Sequence, residues 1–265
     1  MTQPMQSLVC AEWLDQNLSD PKVHALDASL HLPAAGRDPR AEFAENHIAG
    51  ARFLDLASLV DRASDVPAAL PTRSQVLERL AHLGIAPGDG VVLYDDSAIR
   101  TSARAWFALP ANGLDNVAIL DGGLARWRLL GLPMESGAPE SQAIASVKEG
   151  ANHTQRVRSK ADINANLESK AEQVVDARGA DRVFGSGKDP VHGGANGRIP
   201  GALNVPFGAV LNADGTYKSS ADLTAVFTAA GVDLDQPIIT SCGSGVTASV
   251  LAFALHLLGK RDVAL

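Results

Sequence analysis

Cysteine is scarce in this chain of 265 residues: Cys10 and Cys242 are the only two, one in each half. A disulfide framework is therefore not expected, and both thiols should persist reduced, as they do in a cytosol. No apolar run reaches the roughly 18 residues of a membrane span, and no basic-then-apolar leader opens the sequence, so the expectation is no membrane and a cytoplasmic location. Basic residues are in deficit, with 23 Lys and Arg against 30 Asp and Glu, a formal net charge of −7 and no Lys/Arg-rich cluster. Nucleic acid is excluded as a partner on that ground, because phosphate neutralisation supplies most of such affinity. Aromatic residues make up only 5%, and Trp13, Trp106 and Trp127 read as core or domain-interface side chains rather than a stacking surface. Small molecules and proteins remain as partners.

What the chain does have is an internal repeat. Val23-His24-Ala25-Leu26-Asp27-Ala28 is echoed by Gln173-Val174-Val175-Asp176-Ala177, and His47-Ile48-Ala49-Gly50-Ala51 by Arg198-Ile199-Pro200-Gly201-Ala202. Val91-Val92-Leu93-Tyr94-Asp95 pairs in the same way with Ile238-Ile239-Thr240-Ser241-Cys242, and Asn116–Leu120 with Asp262–Leu265. Four landmarks in one order at a spacing of about 150 residues predict two similar domains. They are placed at 1–135 and 153–265, joined by a small, polar, Pro/Gly-bearing linker at 136–152. The second half stops at Leu265, where the first continues into Asp121-Gly122-Gly123-Leu124-Ala125-Arg126-Trp127, so it is expected to be clipped by a turn and a short helix.

Within each half, short apolar runs alternate with helical stretches: Val91–Tyr94 and Val117–Leu120 are strand-like, Ala103–Leu109 helix-like. The predicted fold class is α/β, two similar domains that each carry a parallel sheet with helices on both faces. Ligands of such sheets sit beyond the carboxyl ends of the strands, which directs attention to Asp95 after Tyr94 and Cys242 after Ser241.

Cys242 opens the loop Cys242-Gly243-Ser244-Gly245-Val246-Thr247, between the apolar run 238–241 and the apolar stretch 248–258. Strand, tight loop and buried helix follow. The glycines allow successive N–H groups to point inward, and the helix N-terminus adds its positive end, which together cradle an anion and favour a thiolate. A nucleotide-binding loop would need Lys after its last glycine, where Val246 stands, and a cysteine phosphatase an arginine to close a longer loop, where Thr247, Ala248 and Ser249 follow. Zinc would need a second Cys or His at ligand spacing, which is missing. The pattern implies a single nucleophilic thiolate in a ring of amides, with neither metal nor cofactor.

The loop 242–247, the run Ile-Pro-Gly-Ala-Leu-Asn-Val-Pro-Phe at 199–207, and Asp176-Ala177-Arg178 with Arg182 resemble the two-domain (tandem rhodanese) sulfurtransferases, which include thiosulfate and 3-mercaptopyruvate sulfurtransferases. Leu120-Asp121-Gly122-Gly123-Leu124 with Trp127, and 47–51, resemble that family's first-domain motifs. The resemblance implies sulfur transfer through a persulfide on Cys242, with an inactive first domain that carries Asp95 at the nucleophile position. It implies Arg182 as the group that binds a small anionic donor, cyanide or a thiol as acceptor, and a thioredoxin-like protein as reductant. Ser244 and Thr247 are read either as hydroxyl donors to the site or as helix caps.

This chain departs from the family pattern in three places. The second donor-binding arginine would fall at Val191, with His192 and Lys188 the nearest basic residues. The first-domain Asp and His that the resemblance associates with proton transfer align with Ala57 and Ala68, which disfavours mercaptopyruvate. Uncharged Gly243 and Ser244 replace the basic loop residues of thiosulfate enzymes, which disfavours thiosulfate. The donor stays open, and a sulfur-relay protein with little activity of its own is the alternative reading.

Overall fold

The strand signals of the first half become one sheet. In a computed structural model that describes residues 5–110, 114, 116–137 and 156–265, β1 (Leu8–Val9), β2 (Val23–Asp27), β4 (Arg52–Phe53), β5 (Gly90–Tyr94) and β6 (Val117–Leu120) lie in the order β1-β6-β5-β2-β4. All of these pairs are parallel. Both β5 and β6 are buried along their whole length, which is why they read as continuous apolar runs rather than alternating ones. Around the sheet run α1 (Ala11–Asn17), α2 (Pro39–Glu45), α3 (Arg73–His82), α4 (Ser102–Ala108) and α5 (Gly123–Leu129), while β3 (His47–Ile48) and β7 (Met134–Glu135) form a separate antiparallel pair. Every residue of α4 is buried, and α3 starts in a reciprocal Thr72/Gln75 capping box.

The second half repeats this plan with fewer residues. Its strands β8 (Gln173–Asp176), β9 (Leu203–Asn204), β10 (Ile238–Ser241) and β11 (Val263–Ala264) are parallel in the order β11-β10-β8-β9. Helices α6 (Lys160–Ser169), α7 (Ala180–Phe184), α8 (Ser220–Ala229) and α9 (Val246–Leu257) complete it. The edge held by β1 in the first half is held here by residues 156–158, since the Leu265 N–H donates to the Arg156 carbonyl (2.8 Å) and the Arg158 N–H to the Leu265 carbonyl (2.9 Å). The chain accordingly separates into two compact units, Met1–His153 and Thr154–Leu265. Apart from residues 136 and 137, the expected linker lies outside the described residues.

The repeat extends to single turns. Ala51 N–H closes on the Ile48 carbonyl and Ala202 N–H on the Ile199 carbonyl, each at 2.9 Å, with Gly50 at φ 73° and Gly201 at φ 79°. A side chain at that third turn position would be strained, so the shared glycine is a backbone requirement. Register then identifies the equivalent residues: Asp27 faces Tyr94 across β2 and β5, and Asp176 faces Ser241 across β8 and β10. The next residues along, Asp95 and Cys242, hold the same place in their sheets.

Candidate active site

Cys242 leaves the carboxyl end of β10 and is partly exposed. Its Sγ accepts a hydrogen bond of 3.1 Å from the Gly245 N–H, the last residue before α9. Gly245 is in the left-handed region at φ 80°, which turns its N–H back toward the sulfur. The loop is braced from behind by Ser249, fully buried, whose hydroxyl donates to the Gly245 carbonyl at 2.7 Å. The N–H groups of Gly243, Ser244, Val246 and Thr247 make no hydrogen bond to any described residue. These are unpaired donors of the loop that follows Cys242 and of the helix start it leads into. Neither Ser244 nor Thr247 caps α9: its N-cap is Gly245 and no side chain bonds there, so the capping alternative is overturned and both hydroxyls remain uncommitted.

A second group of residues, running from the end of β8 through α7 to the turn after it, lies beside this loop. Asp176 is held by Arg178, with Nη2 at 2.7 Å, and the Arg178 guanidinium also donates to the Gly197 carbonyl. Arg182 places both Nε (3.0 Å) and Nη2 (2.6 Å) on one oxygen of buried Asp189. The other oxygen of Asp189 accepts from the N–H groups of Val191 (2.8 Å) and His192 (3.2 Å). Arg182 and these amides hold the Asp189 carboxyl well below the usual carboxylate range. The turn so anchored lays the His192 imidazole against Gly243: a Cβ added to Gly243 would coincide with the ring, with Nε2 the atom it meets first. Lys188, by contrast, pairs through its backbone with Ala195.

In the first unit the corresponding loop encloses a carboxyl group of its own. The Asp95 carboxylate accepts from Ser97 N–H (2.9 Å) and Ser102 N–H (2.8 Å), so the side chain at the cysteine position fills its own loop. Asp27, the counterpart of Asp176, has Ser29 where Asp176 has Arg178, and accepts the Ser29 N–H at 2.8 Å. Without an arginine, burial dominates: the Asp27 carboxyl is pushed up to about 6, and that of Asp95 is raised as well.

The sequence-expected residues thus fall into one group. Cys242, Gly243, Ser244, Gly245, Val246 and Thr247 form the loop, while Arg182 is fixed through Asp189 to the turn beside it. Arg182 pairs with Asp189 rather than with its neighbour Asp181. Asp189 was the residue that sequence reasoning missed. Its signal was local: an aspartate followed by Pro190 and Gly193 has the composition of a turn in which a carboxylate caps the N–H two residues on.

The rhodanese-like domain family matches residues 11–130 and 159–265. Human 3-mercaptopyruvate sulfurtransferase is 38% identical over 98% of this chain and 89% of its own length. Bovine thiosulfate sulfurtransferase is 35% identical over 98% and 89%. Among solved structures, SseA of Escherichia coli, a 3-mercaptopyruvate sulfotransferase with the rhodanese fold, superposes with a TM-score of 0.88 at 34% identity, covering 98% of this chain and 97% of that one. With two matched domains, near-complete coverage and the same fold, the chain belongs to the two-domain rhodanese-like family of sulfurtransferases.

Proposed function

We propose that Cys242 carries the transferred sulfur as a persulfide, taken from a small anionic donor and passed to cyanide or a thiol. The observation that carries this reading is the set of uncommitted N–H groups at Gly243, Ser244, Val246 and Thr247 around a cysteine that already receives the Gly245 N–H. The thiolate attacks the outer sulfur of the donor, the S–S bond forms as the donor's own bond to sulfur breaks, and the leaving group keeps that bond's electron pair. The amide ring stabilises the anionic outer sulfur until an acceptor thiolate or cyanide removes it. Ser244 and Thr247 supply further hydroxyl donors, and Arg182 offers the donor its remaining nitrogen, Nη1, while Asp189 holds the other two. Asp95 cannot accept a sulfur atom, so the first domain takes no part in covalent transfer. Among the described residues no helix is long and apolar enough to cross a membrane. A cytosolic setting, with a thioredoxin-like protein recycling the carrier, fits two cysteines that are both free.

Intact-mass measurement tests the covalent step. Protein incubated with thiosulfate or 3-mercaptopyruvate and then desalted should gain one sulfur atom, on the peptide that contains Cys242, and lose it again on addition of cyanide. Turnover without that gain at any time point would mean direct transfer between the two substrates and would remove the persulfide from the mechanism. A chain that gains the sulfur only from a persulfidated partner protein, and never from a free donor, would instead be a relay.

A further inference from the structure

The imidazole of His192 is exposed, and neither of its ring nitrogens has a hydrogen-bond partner among the described residues. Its backbone is nevertheless tightly specified: its N–H and that of Val191 share one oxygen of Asp189, whose other oxygen is gripped by Arg182. Arg178 approaches the same oxygen at 3.5 Å. Two guanidinium groups and a buried carboxylate therefore converge on a turn whose visible product is the placement of one ring. That ring takes the space over Gly243, the residue that follows Cys242, with Nε2 toward the loop. A side chain at position 243 and an imidazole at this place exclude each other, so glycine in the loop and histidine in the turn form a single arrangement.

We propose that His192 is a catalytic residue of the donor half-reaction, acting as the acid–base group for donors whose leaving group is a carbon acid. This rests on the reading of Cys242 as the sulfur carrier. With 3-mercaptopyruvate, the Cys242 thiolate bonds to the donor sulfur while the C–S bond breaks and its electron pair passes to carbon, giving the enolate of pyruvate. The donor thiol gives up its proton in the same conversion. The imidazole takes that proton and returns it to the enolate, so that thiolate plus mercaptopyruvate yields persulfide plus pyruvate with no net proton exchanged. With thiosulfate the departing group is sulfite, which leaves with its electron pair and needs no proton. A free imidazole is suited to this exchange because one nitrogen can accept as the other donates. The Asp189 carboxylate, already saturated by two arginines and two N–H groups, is not available to do it.

The selectivity between donors is what a merely structural histidine would lack. Steady-state kinetics of His192→Gln and His192→Ala should show kcat for 3-mercaptopyruvate reduced by about 100-fold or more, the usual contribution of a positioned acid–base group. With thiosulfate, kcat should stay within about threefold of the unsubstituted protein, because no proton transfer is lost. An equal loss with both donors would assign His192 to holding the loop, and no loss with either would make it a bystander; each result overturns the proposal. So would an unsubstituted protein that charges Cys242 from thiosulfate but not from 3-mercaptopyruvate. Failure of the underlying reading looks different, since then neither donor would add sulfur to Cys242 in the unsubstituted protein, whatever stands at position 192.

Discussion

Cys242→Ser is expected to abolish sulfur transfer to cyanide from every donor, while Cys10→Ser leaves kcat and KM unchanged. The serine hydroxyl is close in size to the thiol and would still accept the Gly245 N–H, so the loop should keep its shape and thermal unfolding should barely move. What is lost is chemical: a neutral hydroxyl is a poor nucleophile toward sulfur at neutral pH, and no oxygen analogue of the persulfide can hold the transferred atom. Because the covalent intermediate cannot form, the fall should reach the detection limit rather than stop at the tenfold to hundredfold typical of a lost hydrogen bond. Cys10 supplies the control. It is exposed, precedes the short helix α1 in the other unit and makes no capping bond. Retention of activity by Cys242→Ser together with loss in Cys10→Ser would overturn the whole site, including everything inferred about His192. Loss in both would point to a mechanism that needs two thiols rather than one.

The parts of this protein that could be read in advance are those dictated by backbone periodicity. Strands buried on both faces leave unbroken apolar runs, so 91–94, 117–120 and 238–241 were visible, and parallel register then carried the equivalence of Asp95 and Cys242 without further information. Two-residue strands such as β4 and β9 carry no period, so no strand was expected there, and only the glycine turns that precede them showed in the repeat. The turn at 189–193 was hidden for a different reason. Adjacent helical residues project in divergent directions, so Arg182 turns away from Asp181 and reaches Asp189 beyond the end of α7. An ion pair between a helix and the loop that follows it has no fixed spacing, and the contact it secures, His192 on Gly243, joins residues on different loops. Side-chain chemistry named His192 and Gly243 separately, and it is the folding of the two loops that brings them together.

The second large effect is on stability, and it comes from the unit without the cysteine. Burial holds the Asp27 carboxyl at about 6, against an ordinary value of 3.8, with the nearby Asp95 adding to the rise. The sign follows from proton binding. Between those two values the folded chain keeps a proton that the unfolded chain has released, so stability falls as pH rises through that window, and above about pH 6 the full penalty is present. A difference of that size corresponds to about 3 kcal/mol, taken as an order of magnitude. Asp27→Asn should therefore raise the unfolding free energy at pH 7 to 8 by up to about 3 kcal/mol, less any cost of burying the amide, and should bring no gain near pH 4. The amide oxygen can still accept the Ser29 N–H, so the loop geometry has no reason to change. The equivalent substitution Asp176→Asn should go the other way at neutral pH, because it would take a negative charge from beside the Arg178 guanidinium, which lies 2.7 Å from the carboxylate. Urea unfolding of the two variants across this pH range distinguishes the accounts. If Asp27→Asn changed stability by the same amount at pH 4 and pH 8, the effect would be one of packing, and the ionised carboxylate in the first unit would carry no penalty for want of an arginine partner.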